Sequence, residues 1–260
     1  MQAVVKRFLV AALAMAASAC TTVLAPERTP AIGPPFNEAL KDRYLELGSS
    51  KWQAGSWDVL HFRDKARAAM LGNDVLPDRV TWVPSGAQRE LEAQRERLML
   101  FLDAGAWQVA PEEAAEAQVS FDCWLSDVQA TNRIDSGCRE PFLTALGQTE
   151  QAVVAHVPAA YVVPFESGSD VVSGQGLNVA TAVARAVPLV EPTRIDVVGY
   201  ADRAGSASVN EALSRQRAEN IAAALERAGV SRELLNIEAP GVAGAPRDGA
   251  GRRVEVSLRS

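Results

Sequence analysis

One cationic side chain stands where an apolar one belongs. At 100° per residue, Val209, Leu213, Ile221, Ala224, Leu225 and Ala228 fall on one helical stripe, and Arg217 falls in its middle. A guanidinium there either snorkels to water or meets an acceptor. Asp202, in the loop leaving the preceding strand, is the candidate neighbour. Two chemistries are then open. The side chains form a buried ion pair that orients the loop on the helix, or they form a zwitterion site. In the second case Asp202 accepts hydrogen bonds from a ligand ammonium while Arg217 forks onto its carboxylate, a planar match that lysine cannot reproduce. Arg215 and Arg227 lie off the stripe and read as surface residues.

The three cysteines divide into one and two. Lys6 and Arg7 precede the apolar run Phe8 to Ala17, then the small residues Ser18 and Ala19, then Cys20. Ten apolar residues span only about 15 Å as a helix, half of a hydrocarbon core, so residues 1–19 read as an export signal and not as a membrane anchor. Small residues before a cysteine that closes the hydrophobic run resemble the lipobox of bacterial lipoproteins, with Ala17 where leucine is more common. The resemblance implies an acylated Cys20, and Thr21 after it implies the outer membrane; an ordinary signal peptide cleaved nearby is the alternative. Cys123 and Cys138 lie fifteen residues apart across a polar stretch. In an oxidising compartment they are expected to pair, because the spacing is not C-x-x-C and no basic cluster lowers a thiol pKa.

These residues need elements to hold them, and 260 residues leave room for two domains. Pro26, Pro30, Pro34 and Pro35 make residues 20–35 a stiff spacer of at most roughly 50 Å. Residues 36–151 read as an all-α helical domain. Ala39, Tyr44, Leu45 and Leu47, then Val59, Leu60, Phe62, Ala66 and Met70, recur at helical spacing, with Gly48 and Gly72 as stops. Further helices start near Ser85, near Pro111 with Glu112 and Glu113 in the first turn, and after Arg139. Trp52, Trp57 and Trp82, in connecting segments, read as core, with an exposed partner surface as the alternative.

From Ala159 the pattern turns to short β-rich runs between helices. Tyr161–Phe165, Arg194–Tyr200, Leu235–Glu238 and Arg252–Leu258 read as strands. Leu177 to Val187 reads as a helix ended near Pro188 to Pro192, and Ser208 with Glu211 as the capping box of a helix that stops at Gly229.

At this point a resemblance becomes specific. Val198-Gly199-Tyr200-Ala201-Asp202, then Gly205-Ser206, Asn210, Leu213-Ser214, Arg217-Ala218 and Arg252-Arg253-Val254-Glu255-Val256 resemble the OmpA-like C-terminal domain, the family that includes the peptidoglycan-associated lipoproteins. The resemblance covers about 100 residues, with the motifs in the family's order. It implies that residues 156–260 form an α/β (α+β) domain of order β-α-β-α-β-β that grips peptidoglycan non-covalently through the diaminopimelate of the stem peptide. The family's aspartate falls on Asp202 and its arginine on Arg217. Asn210 and Leu213 match positions that shape the same cleft, and Arg253 matches the second arginine of the closing strand. Tyr200, Ala201 and Gly251 depart from the usual His, Thr and Asn, and Glu166 stands for a usual Asp.

The expected role is a non-enzymatic tether: a lipid on Cys20 holds the outer membrane from its periplasmic face while the C-terminal domain holds the wall. The alternative is a scaffold whose helical domain binds another envelope protein. A net charge of -6 with no basic patch argues against nucleic acid as a partner. The chain has no G-x-S-x-G, H-E-x-x-H or P-loop pattern, and His61 and His156 stand alone, so neither catalysis, a cofactor nor a metal is expected.

Overall fold

Between Pro34 and Ala155 every regular element described is helical: α1 (Pro34–Gln53), α2 (Val59–Met70), α3 (Ser85–Asp103), the single turn α4 (Ala106–Val109), α5 (Pro111–Thr131) and α6 (Arg139–Ala155). The computed structural model describes residues 34–53, 58–83, 85–202, 206–242 and 251–260. The export signal, Cys20, Trp57, Gly205 and the side chain of Trp52 lie outside the described residues.

Pro34 and Pro35, expected in the spacer, form the first turn of α1, where a missing N–H costs nothing. Gly48 does not stop that helix. It lies inside α1, where a Cβ would meet Arg63 Cγ at 3.5 Å and Val59 O at 3.7 Å, so the glycine marks the close approach of α1 to α2. Gly72 does stop α2: its φ is +73° and its N–H returns to Ala69 O, with Asn73 N–H on Ala68 O. On α2, Val59, Phe62, Ala66 and Ala69 are buried, whereas Leu60 and Met70, read as part of the same apolar set, are exposed, as is Leu45 on α1. With Arg63, Arg67 and Lys41 they line an open groove of about 480 Å³. Trp82 is 71% exposed and so is not a core residue.

The helices close on one cluster in which Phe36, Leu40, Tyr44, Phe62, Leu91, Leu98, Phe121, Trp124 and Phe142 are fully or almost fully buried. Phe121 meets the rings of Trp124 and Phe142 edge-on. Cys123 and Cys138 form a disulfide, Cα–Cα 5.8 Å, that ties α5 to the start of α6. Five ionisable or phenolic groups fasten the segment after α2 onto this cluster. Lys65 pairs with both Asp78 and Asp122, Tyr44 Oη donates to Asp122 Oδ2 at 2.5 Å, Asp78 N–H donates to Asp122 Oδ1 at 2.7 Å, and His61 Nε2 meets Asp78 Oδ2 at 2.8 Å. Burial raises the Asp122 pKa against the opposing charge of Lys65, and the bond to Asp78 raises that of His61.

The second cluster belongs to a sheet of order β1-β4-β2-β3, with β1 (Tyr161–Pro164), β2 (Arg194–Tyr200), β3 (Leu235–Gly241) and β4 (Arg253–Arg259). β4 is antiparallel to β1 and β2, and β2 is parallel to β3. With α7 (Gly174–Val190) and α8 (Ala207–Arg227) the order is the expected β-α-β-α-β-β. Val163, Val254, Val256, Ile195 and Val197 face the helices and pack on Val183, Ile221 and Leu225. The opposite face is polar. Asp196 there receives Arg194 and Arg259 at 2.8 and 2.9 Å, and against the cost of burial the hydrogen bond from Asn236 and then the two cations hold its pKa down.

α7 ends at Val190, within the expected stretch from Pro188 to Pro192, with Pro188 in its last turn. Two details differ from expectation. β3 runs on to Gly241, which takes a φ of +63°. The cap of α8 is Ser206 and not Ser208, for Ser206 accepts from Val209 N–H and the helix starts at Ala207.

Candidate functional site

Arg217 is fully buried. Three carbonyls, and no carboxylate within 4.0 Å among the described residues, receive its guanidinium: Nε donates to Ser169 O (2.8 Å), Nη1 to Tyr200 O (3.2 Å) and Nη2 to Glu166 O (3.0 Å). The Phe165 ring lies beneath it, 5.2 Å from Cζ to the centroid. Of the two sequence readings, the direct Asp202–Arg217 ion pair is therefore not what holds the arginine. Burial lowers its pKa, and the negative charge of Asp202 opposes that shift. The cation is retained, since arginine does not give up its proton in proteins.

The chain brings those carbonyls together by local means. A Cβ at Gly199 would stand 2.1 Å from Ser214 O, so only glycine lets the end of β2 lie against α8. The next carbonyl, of Tyr200, thereby reaches Arg217. Loop residues 165–170 are held from the other side, where Asn220 Nδ2 donates to Asp170 O at 2.8 Å, one turn beyond Arg217 on α8.

Asp202 leaves the end of β2 and accepts from Arg252 Nη1 on Oδ2 at 3.0 Å. Asn210 is buried in the first turn of α8, and Leu213 is half-buried one turn on. Spaced seven and four residues before Arg217, both share its face of the helix. Arg253 goes elsewhere. It lies over the Tyr200 ring, 5.7 Å to the centroid, and pairs with Glu255 at 2.6 Å on the polar face of the sheet. The structure thus gathers Asp202, Asn210, Leu213 and Arg217 at one end of the sheet and turns Arg253 away.

Arg252 was not among the expected site residues. The signal for it was the alternation of β4: with Val254 and Val256 facing the core, Arg253 must face outward, leaving the residue before the strand free to turn toward β2. Gly251 explains the placement. A Cβ there would stand 2.7 Å from Ala201 O and 3.1 Å from Asp202 Cα, so the family's usual Asn does not fit this chain unaltered. Gly251→Asn is expected to cost about 1–3 kcal/mol as the two backbones separate, lowering the Tm of the C-terminal transition by about 4–20 °C in a thermal melt. An unchanged Tm would show that the close approach is not maintained.

His61 and His156 are not brought together; Nδ1 of His156 lies 2.7 Å from Ala152 O.

Comparison with known proteins assigns this part of the chain. Residues 165–254 match the OmpA family. Over 103 residues the chain is 33% identical to the probable lipoprotein YiaD of Escherichia coli (strain K12), covering 37% of this chain and 47% of that protein. The chain thus spans about half the length of the curated relative it matches. Among solved structures, the peptidoglycan-associated lipoprotein from Burkholderia pseudomallei is 22% identical, covering 38% of this chain and 87% of that one, with a TM-score of 0.33. The OmpA-like domain of FopA1 from Francisella tularensis subsp. tularensis SCHU S4 is 18% identical, covering 38% and 70%, with a TM-score of 0.36.

Proposed function

Since the C-terminal part of the chain is an OmpA-like domain, we propose that this protein is a non-enzymatic tether that holds peptidoglycan at the end of its sheet and the outer membrane through a lipid on Cys20. Residues 1–19 are then the signal removed on export, 20–35 lead into the helical domain of 36–151, and 156–260 bind the wall from the periplasmic face of the outer membrane. The ligand is the zwitterionic centre of diaminopimelate in the stem peptide. Asp202 accepts from its ammonium, Arg217 receives its carboxylate, and Asn210 and Leu213 shape the cleft. Arg253, which pairs with Glu255, enters only if that pair opens.

The observation that carries this reading is the state of Arg217. A guanidinium has five N–H groups, and three are committed to carbonyls, which leaves one on each terminal nitrogen for a carboxylate. A charge this deeply buried, held by backbone carbonyls near the charge of Asp202, is more than the packing of α8 on β2 requires. Weak single sites suffice for such a task, because the polymer presents many stems to many copies.

The test is co-sedimentation of the full chain with purified diaminopimelate-type sacculi. Asp202→Asn keeps the shape of the side chain and removes the charge. It is expected to lower the bound fraction by tenfold or more at an unchanged Tm. Binding equal to wild type would overturn the zwitterion site. Acyl mass on Cys20 in protein recovered from native membranes tests the anchor.

A second reading has its own observation. Leu60, Met70 and Trp82 project outward from the helical part, which suits a scaffold that binds another envelope protein there.

A further inference from the structure

Two consecutive arginines close the OmpA-like domain, and the structure gives them different tasks. Phe165 N–H donates to Arg252 O at 2.8 Å, which ties this backbone to the loop that floors Arg217. Gly251 presses the same backbone onto Ala201 and Asp202. The Arg252 side chain is thereby fixed beside Asp202, with Nη1 3.0 Å from Oδ2, and both side chains reach solvent, 43% and 24% exposed. Arg217, inside, is sealed from solvent. Among the described residues, the charges of Asp202 and Arg252 act on it in opposite directions. A ligand carboxylate can meet Arg217 only if something at this mouth moves, and the exposed ion pair is the contact most easily exchanged.

We propose that the Arg252–Asp202 pair is a latch that closes the wall-binding site in the free protein, and that the ammonium of the ligand opens it by replacing the guanidinium on Asp202. The inference rests on the zwitterion reading given above. One cation–carboxylate contact is broken and one is made, so the exchange is close to neutral and reversible. The latch also sets a chemical requirement. A stem whose side-chain amine is acylated by a cross-link brings no cation to exchange, and the site stays closed to it. Uncross-linked stems are therefore the class of ligand this site selects.

The experiment uses the full chain and two synthetic probes, a stem tripeptide ending in diaminopimelate with its side-chain amine free and the same tripeptide with that amine acetylated. Titration calorimetry is run on wild type, Arg252→Gln, Arg252→Lys and Asp202→Asn. Loss of a partly exposed ion pair is worth up to about a fivefold change in an equilibrium constant. Arg252→Gln is accordingly expected to bind the free-amine peptide about three to five times more tightly than wild type, while Arg252→Lys behaves as wild type. The acetylated peptide is expected to bind more weakly than the free one to every variant that retains Asp202. A merely structural Arg252 would not produce a gain that depends on the amine. The latch is overturned if Arg252→Gln binds the free-amine peptide no better than wild type while Asp202→Asn still loses it, and in that case the wall-binding reading stands. Failure of wild type to bind either peptide or sacculi removes that reading and the latch together.

Discussion

Arg217→Ala is expected to remove wall binding and to cost the C-terminal domain roughly 3–5 kcal/mol, a fall in its Tm of about 15 °C or more. The cost has two sources. Truncation leaves a cavity beside the Phe165 ring, and it leaves the carbonyls of Glu166, Ser169 and Tyr200 without their donor inside the protein. Each orphaned acceptor is worth about 1–3 kcal/mol, partly recovered where water can enter. The alanine variant therefore cannot by itself separate a binding arginine from a structural one, since both lose the site as the domain loosens.

Arg217→Lys separates them. The ammonium keeps the charge and can reach one or two of the three carbonyls, so the domain is expected to fold with a smaller loss of stability. What it cannot do is hold those carbonyls and fork onto a ligand carboxylate at once. Folded Arg217→Lys is expected to bind sacculi at least tenfold more weakly than wild type. If it binds as wild type does while melting earlier, Arg217 is a clamp for the loop after β1 and the ligand carboxylate goes elsewhere. Near-UV circular dichroism on the same samples shows whether each variant is folded.

How much of this was legible in the sequence depends on whether a residue's neighbours are local. Arg217 announced itself because a cation inside an apolar stripe violates the helical pattern. Its acceptors did not, because backbone carbonyls from two distant loops carry no side-chain signature. Cys123 and Cys138 were legible from compartment and spacing alone. The cap of α8 was misplaced by two residues because Ser206 and Ser208 are both competent caps, and the angle at which the chain enters the helix decides between them. Gly48 has the look of a stop in the sequence, yet a glycine inside a helix serves equally where another helix passes close. On α2 the periodicity named Leu60 and Met70 together with the buried set, but spacing alone does not show that an apolar residue at the edge of the stripe or in the last turn of a twelve-residue helix stays exposed. The Tyr44, Lys65, Asp78 and Asp122 cluster was not legible, for its members come from α1, α2, the following segment and α5; Tyr44 alone reads as part of an apolar stripe, and the three charged residues alone read as surface. A charge is burdensome to bury singly and tolerable in a fully paired set, a condition only the tertiary structure can meet.

The same distinction bears on the disulfide, whose removal is expected to have the second large effect. Cys123→Ser with Cys138→Ser opens a loop of fifteen residues, and the chain-entropy account assigns that closure roughly 3 kcal/mol. The helices themselves should survive. α5 and α6 remain joined by the packing of Phe121, Trp124 and Phe142, by Trp124 Nε1–H on Ile134 O at 2.7 Å, and by Arg139, which pairs with Glu90 on α3 and lies over the Trp124 ring. The double variant is therefore expected to keep its helical circular dichroism at 25 °C while the helical part melts about 10 °C or more lower, at the smaller end of the shift per kcal/mol seen in domains of about this size. Sacculus binding should be unaffected, since Asp202 and Arg217 sit on a separate apolar cluster. Trp124 provides the direct readout: it adjoins Cys123 in sequence and bonds within the loop that the disulfide closes, so its emission should shift at the lower transition. A variant that melts with wild type would mean that the packing alone fixes the α5–α6 hairpin. Loss of sacculus binding would mean that the helical part shapes the wall site, and would make it more than a spacer between membrane and wall.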